Sequence, residues 1–520
     1  MSLSPDLPVC ARRLGRNLSL LLASGAMSLL IACGGTASDP PSPTLMRQTN
    51  VTASTNPLVA NYSITTSGPA ASVMVQFGPT TSYGFQTSSQ YTPAGGGTVT
   101  IQVAGMQQNT TYHMRSVLTT NGGTINDQDH TFQTGAIPAM WYPQFQVTTA
   151  PGQTPTPGVQ LVSFSGEAFA VDTGGNIIWY YNYPASANGP NLVKLLPNGN
   201  MLMIIGTGLM SEIREIDLAG NTLRDLTLST LSNKLKNAGY NLNLTSIDHD
   251  VLLLPNNHLL FITSDTRMYE DLIGYPGETT VQGNAVIDVD ENNNPVWVWD
   301  AFDHLDVNRH PINQLFPDWT HANALYYLPD SGNFLISLRH QHWVLKIDYA
   351  AGNGSGDVLW HLGYQGDFTL QNSTSPADWF YAQHDANIAS PNTSGDFQLA
   401  VFDNGDYRIL DDNGDECVPD GQPACYSTSA MFDVNENDMT AQREWTWMRP
   451  YSLWGGSVQL LPNTNMFVDE TSPADLGGNT SRVSEVTQQN NPTLVWQMMF
   501  NNHTAYRTLH EPSLYPGVQW

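Results

Sequence analysis

The sequence predicts an all-β protein, and two patterns carry that prediction. The first is composition. Charged residues make up only 12% of the 520 positions and hydrophobic residues 40%, while Gly and Pro number 43 and 33. That mix suits short strands joined by many turns. The second is a repeat that begins near residue 140. Half of its unit is an apolar strand followed by Leu-Pro-Asn, at Val193–Asn198, Val251–Asn256 and Val458–Asn463. Variants stand at Leu328-Pro329-Asp330 and Ser390-Pro391-Asn392. The turn leads into a second apolar strand, such as Leu259–Thr263 or Phe334–Leu338. The other half is an apolar-Asp strand, a polar turn and a strand ending in Trp. It recurs from Val171-Asp172 to Trp179, Ile287-Asp288 to Trp299, Ile347-Asp348 to Trp360, Phe432-Asp433 to Trp447 and Val486 to Trp496. Six copies of about 60 residues, four strands each, read as a six-bladed β-propeller over residues 137–520. The segment Tyr506–Tyr515 is placed to complete the first blade and close the ring, which leaves few sheet edges open.

Ahead of the repeats, residues 55–136 alternate in short strands at Ser72–Phe77, Thr98–Val103, Thr111–Leu118 and His130–Gln133. The run Gly105–Tyr112 resembles the turn and tyrosine of a fibronectin type III sandwich, so a small fibronectin type III-like β-sandwich is expected there. Residues 1–32 read as an export signal: Arg12, Arg13 and Arg16 precede an apolar run from Leu18 to Ile31 that is too short for a good membrane span. It ends in Leu30-Ile31-Ala32-Cys33-Gly34, which resembles the bacterial lipoprotein box and implies cleavage before Cys33 and lipidation of its thiol. Residues 33–54 read as a flexible tether. The protein is then expected in the cell envelope, held to a membrane, most naturally the outer one, through Cys33. In an exported chain the remaining thiols, Cys417 and Cys425, are expected to pair as a disulfide. The net charge of −27 disfavours nucleic acid and anionic surfaces as partners.

Three histidines stand at matching places in three successive repeats. His249, His321 and His384 each come just before a strand-like run that leads to a proline turn. In a ring of blades these places converge near the axis. Asn323, two residues beyond His321, is expected on the same strand face. Asp250 and Asp385 would point the opposite way, toward backbone contacts. Arg339 closes the second strand of the fourth repeat, and in a chain with 19 Lys and Arg it suggests a bound anion. Two chemistries fit. Three imidazoles could hold zinc with an open position for water. Alternatively, a neutral imidazole could be a nucleophile while the other histidines, Asn323 and Arg339 offset charge on a transferring oxyanion. Arg339 favours the second, because a cation repels a divalent metal; no metal or cofactor is expected.

These residues carry a family resemblance. Asp248-His249-Asp250 through Asn256, Asp318–Asn323, Leu338–Gln341, Gln383-His384-Asp385 and Val401–Asp406 with Arg408 resemble, in order, the motifs of the bacterial aryl-sulfate sulfotransferases. The resemblance covers most of residues 140–520 and also the loop Cys417–Cys425. It implies a propeller enzyme of the envelope that moves a sulfuryl group from an aryl sulfate donor to a phenolic acceptor without a nucleotide sulfate. His384 would be the nucleophile and form a sulfohistidine; His249, His321, Asn323 and Arg339 would surround the sulfuryl oxygens. Asp248 stands where the family often has a histidine. The resemblance leaves a homodimer open. Two other classes stay in view: a propeller that only binds an envelope partner, and a metal-dependent sulfatase or hydrolase. Trp319, Trp379, Phe380 and Tyr381 are expected in core or rim packing, and Asp411–Glu416 as a solvated acidic turn rather than a calcium loop.

Overall fold

A computed structural model describes residues 45–138, 143–164, 166–183, 189–390 and 395–520. The proposed export signal, Cys33 and the Pro391-Asn392 turn lie outside these residues. The structure is all-β, built from antiparallel sheets with one helix of any length, Leu228–Asn237.

Six sheets follow one another, each built on an antiparallel run of four strands, and Thr369–Gln371 adds a parallel fifth strand to one of them against Thr440–Gln442. Sheet one holds Val159–Phe164, Glu167–Asp172 and Ile177–Asn182, with Leu509–Glu511 paired antiparallel against Val159–Leu161 on the inner side, so that Glu167–Asp172 is its third strand and Ile177–Asn182 its fourth. Sheet two spans Pro190–Leu195 to Thr222–Thr227, sheet three Leu244–Leu253 to Pro295–Asp300, and sheet four Ala322–Leu328 to Val358–Gly363. Sheet five runs from His384–Ser390 to Thr440–Arg449, and sheet six from Ser457–Leu460 to Leu494–Asn501. Phe145–Thr149 extends sheet six at its outer edge. The first strands of neighbouring sheets contact each other in chain order, and that of sheet six contacts Leu509–Glu511. The expectation that Tyr506–Tyr515 completes the first repeat is thereby met.

Local chemistry explains the repeat. In Leu-Pro-Asn turns the asparagine side chain caps the hairpin: Asn198 Oδ1 accepts from Asn200 N at 3.0 Å, and Asn463 Oδ1 from Asn465 N at 3.0 Å. The aspartate ending the third strand does the same, with Asp172 Oδ1 accepting from Gly174 N and Asn176 N at 2.9 Å. The tryptophans tie each sheet to the next. Trp179 donates its indole N–H to Leu218 O at 2.8 Å, Trp299 to Gly356 O at 3.0 Å, and Trp496 to Thr173 O at 2.9 Å. Each bond runs from a fourth strand to the third-to-fourth turn of the following sheet, and the last joins sheet six to sheet one. A buried indole gains its hydrophobic contact only if its N–H is paired, so these bonds also set the stacking register.

Before the ring lie two further sheets: Leu45–Ala53, Ala60–Ser67 and Gly97–Val103 in one, and six short strands around Ser72–Gly78 and Thr111–Thr120 in the other. In Ala60–Ser67 and Ser72–Gly78 buried positions alternate with half-buried ones. Tyr112 Oη accepts from Gln107 N at 3.0 Å, fixing the corner read from the sequence. One expectation is corrected here: residues 45–53 were placed in the tether, but they pair with Ala60–Ser67 as a strand. Their threonine-rich, turn-poor sequence lacks the apolar alternation that marks a strand, and the pairing partner supplies the order instead. This module shares a core with sheets one and two, and Gln102 Nε2 donates to Asp217 at 2.8 Å.

Candidate active site

The three repeat histidines reach the axis where their inner strands break register. In sheet three the pairing jumps between Asp248 and Val251, and His249 sits at φ 57°. In sheet four it jumps between Ala322 and Ala324, directly after His321 at φ 47°. In sheet five it jumps between His384 and Asn387, with Asp385 at φ 51°. Left-handed backbone at such residues costs about 1–3 kcal/mol each. A bulge re-aims its side chain, which a regular strand would keep alternating between its two faces.

The rings then gather. The centres of His249 and His321 are 5.0 Å apart, and those of His321 and His340 4.5 Å. Tyr506 lies 5.2 Å from His249 and 5.8 Å, edge-on, from His384. Burial is the first cause holding all four imidazoles neutral, and the Arg339 guanidinium adds to it in each. His384 and His321 are driven well below the ordinary range, and His340 down to about 3.

His384 has a defined tautomer. Its Nδ1–H donates to Asn404 Oδ1 at 2.7 Å. The Asn404 amide cannot turn over, because its Nδ2 donates to Ser452 O at 2.8 Å and Gly455 O at 3.1 Å. The lone pair therefore sits on Nε2, which accepts from the Gly455 N–H at 3.3 Å. Gly455 and Gly456 let the chain pass this close: a Cβ would meet Thr471 Oγ1 at 2.5 Å and the Phe402 ring at 2.6 Å.

Arg339 is buried and held on both sides. Its Nη2 donates to Asp406 Oδ2 at 2.6 Å and Leu453 O at 3.0 Å, and its Nη1 to His340 Nε2 at 2.7 Å. Its Nε–H has no partner among the described residues. Asp406, which Tyr451 Oη also contacts at 2.8 Å, is raised to about 6 by burial, against the pull of Arg339. His321 donates Nδ1–H to Asp318 Oδ2 at 2.6 Å. Beneath these groups Arg507, fully buried, contacts Asp250 and Asp385 at 3.3 Å each and donates to Asn323 O at 2.8 Å. Asp250 also accepts from Leu325 N at 3.0 Å, the backbone role expected of it.

His249, His321, His384 and Arg339 thus lie near one another. Asn323 sits differently. The bulge places it at the seam of sheets four and five, where one N–H is committed to Gln383 O at 2.6 Å. Sequence reasoning missed Asn404, Asp318, His340, Tyr506 and Arg507. Asn404 and Asp318 lay inside quoted motifs; His340 adjoins Arg339; Tyr506 and Arg507 carried no repeat signal. Trp319, Trp379, Phe380 and Tyr381 are core residues, and Arg408 is locked to Asp403 at 2.6 Å. Asp411–Glu416 is a turn capped by Asp411 Oδ1 on Asn413 N at 2.9 Å. Cys417 and Cys425 are disulfide-bonded.

Among the described residues the cluster with metal-ligand donors within 4.8 Å of one another is Asp318, His321 and His340, not the three repeat histidines. Its donor set fits a metal poorly. His340 Nε2 is taken by Arg339, and its Nδ1–H is donated to Asp318 O at 2.7 Å. A cation there would displace these bonds and face the guanidinium.

Neutral imidazoles beside a buried guanidinium, at the meeting point of six sheets, equip an enzyme that transfers an anionic group. The chain belongs to the arylsulfotransferase (ASST) family, whose model matches residues 106–507. Membership implies a sulfotransferase acting on small aryl substrates. No curated protein matches the chain in sequence. Solved structures are similar only remotely. A protein from Lactobacillus plantarum is 10% identical over 68% of this chain and 100% of its own, with a TM-score of 0.34. The Synechocystis apocarotenoid oxygenase is 9% identical over 89% and 96%, with a TM-score of 0.32. A quinonprotein alcohol dehydrogenase-like protein from Bacteroides thetaiotaomicron is 11% identical over 88% and 100%, with a TM-score of 0.30.

Proposed function

We propose that the protein transfers a sulfuryl group from an aryl sulfate to a phenol through a sulfohistidine on His384, with no nucleotide sulfate donor. The observation that carries this reading is the fixed tautomer of His384, which leaves Nε2 as its acceptor nitrogen, with burial and Arg339 keeping that ring neutral. In the first half-reaction Nε2 attacks sulfur as the S–O(aryl) bond breaks. In the second, the acceptor phenol oxygen attacks sulfur as the S–N bond breaks. Sulfuryl transfer, like phosphoryl transfer, runs through a loose in-line transition state and depends on fixed charges. The Nε–H of Arg339, without a partner among the described residues, is a donor for the sulfuryl oxygens, while Asn323 packs at the seam of sheets four and five. Ping-pong kinetics follow from covalent storage.

We also propose a six-bladed propeller preceded by a fibronectin type III-like module, the Tyr112 corner supporting the latter. The chain is proposed to be exported and anchored in the envelope through Cys33; loss of lipid labelling in Cys33→Ala is the expected outcome. The deciding assay is 4-nitrophenyl sulfate with and without a phenol. Acceptor-dependent release of nitrophenol is expected. Release with water alone would make the protein a sulfatase, and no release would favour a binding module.

A further inference from the structure

We propose that Asp318 is a positioning residue that places the proton on Nδ1 of both His321 and His340, leaving His321 Nε2 to exchange a proton with the aryl oxygen. This deepens the sulfuryl-transfer reading and rests on it.

Asp318 serves the two histidines with different atoms. Its carboxylate Oδ2 accepts from His321 Nδ1 at 2.6 Å, while its backbone carbonyl accepts from His340 Nδ1 at 2.7 Å. The rings lie 4.5 Å apart, so one residue sets both tautomers. The consequences diverge. His340 Nε2 becomes an acceptor for Arg339 Nη1 at 2.7 Å, and a guanidinium can only donate. That bond joins the chain that ends at Asp406 and Tyr451 and keeps the guanidinium in place. His321 Nε2 is left as a lone pair, and the His249 ring lies 5.0 Å away between centres. A carboxylate behind an imidazole stabilises the imidazolium that forms when the far nitrogen takes a proton. Asp318 Oδ1 has no partner among the described residues, so its charge is not otherwise spent.

The proton then balances over the cycle. The acceptor phenol gives its O–H proton to His321 Nε2 as its oxygen bonds to sulfur and the S–N bond to His384 breaks. The resulting imidazolium, paired with Asp318, returns that proton to the next departing aryl oxygen as the S–O bond breaks and His384 is sulfurylated. No other proton donor is required.

The test uses aryl sulfates whose leaving phenols differ in acidity. With Asp318→Asn the carbonyl that holds His340 is unchanged, and only the carboxylate charge is lost. The loss in kcat/KM should grow with leaving-group pKa, from a few-fold for 4-nitrophenyl sulfate to about 50-fold for phenyl sulfate. A loss equal for all donors, or no loss, overturns the proposal. If Asp318→Asn does not fold, the wild-type protein decides it: phenyl sulfate should show a solvent isotope effect of about 2 or more in a single turnover, larger than 4-nitrophenyl sulfate. Equal effects overturn it. Wild-type failure to transfer from any donor would instead sink the parent reading.

Discussion

Sheets three to five and sheets six, one and two surround the same axis, yet they furnish it differently. In the first half each inner strand breaks register, and a histidine lies at or beside each break. In sheets six and one the inner strands pair without a break. There the axis receives backbone, through the Gly455 N–H, and the side chains Tyr506 and Arg507 from the connecting loop. Sheet two has a break between Pro190 and Leu192, but Asn191 turns its amide onto Gly206 O at 2.6 Å. The comparison teaches that a repeat can supply equivalent positions without supplying equivalent groups. A bulge delivers a side chain, and a regular strand leaves room for the chain itself to approach.

Several substitutions break or sharpen that contrast. The largest effect is expected at His384: His384→Ala should lose transfer by 1,000-fold or more, about the scale for a nucleophile, with an unchanged circular dichroism spectrum. Retained activity would move the nucleophile to another imidazole. Arg339→Met should lower kcat about 100- to 1,000-fold, because a buried donor to the oxyanion is removed. Asn404→Leu tests tautomer control. It frees Nδ1 of His384, and kcat should fall about 100-fold while donor KM changes little. On the unbulged side the expected loss is in stability. Gly456→Ala places a Cβ 2.6 Å from Phe402 at φ 99° and should cost about 2 kcal/mol in denaturant unfolding.

The smallest effect concerns pH. His340 is held down to about 3, below its ordinary 6.5, so its contribution to stability is present above pH 6.5 and lost as pH falls toward 3. Asp385 and Asp406, raised to about 6, run the opposite way: their contribution is present below pH 3.8 and lost as pH rises through 6. His340→Gln should therefore flatten the fall in melting temperature from pH 6.5 to 5, by roughly 2 °C. A steeper fall would mean that His340 carries charge in the fold.

Much of the ring was legible because its signals are local. An asparagine caps its own hairpin two residues on, and a tryptophan ending a strand is a visible recurring residue even though its bond reaches the next sheet. The site was legible where repetition marked it, at His249, His321 and His384, and at Arg339, whose charge stands out in a chain with few cations. Asn404 and His384 are separated by 20 residues, Arg339 and Asp406 by 67, and Arg507 and Asp250 by 257. No periodicity reports such partners. The bulges were also invisible, so Asn323 was placed by strand alternation on a face that the register break takes away. Leu45–Ala53 was missed for the opposite reason, since its order comes from its neighbour and not from its own pattern.

The strand Leu509–Glu511 closes sheet one across a sequence separation of 350 residues between Gln160 and His510. Such a contact forms late, because its loop-closure entropy is recovered only after the intervening sheets are in place. Tyr506 and Arg507 arrive with it. Until then His249 and His384 lack the phenol between them, and Asp250 and Asp385 lack their shared cation. The same short strand that completes a sheet therefore also completes the site, and a chain in which it is unpaired carries imidazoles without their buried cation.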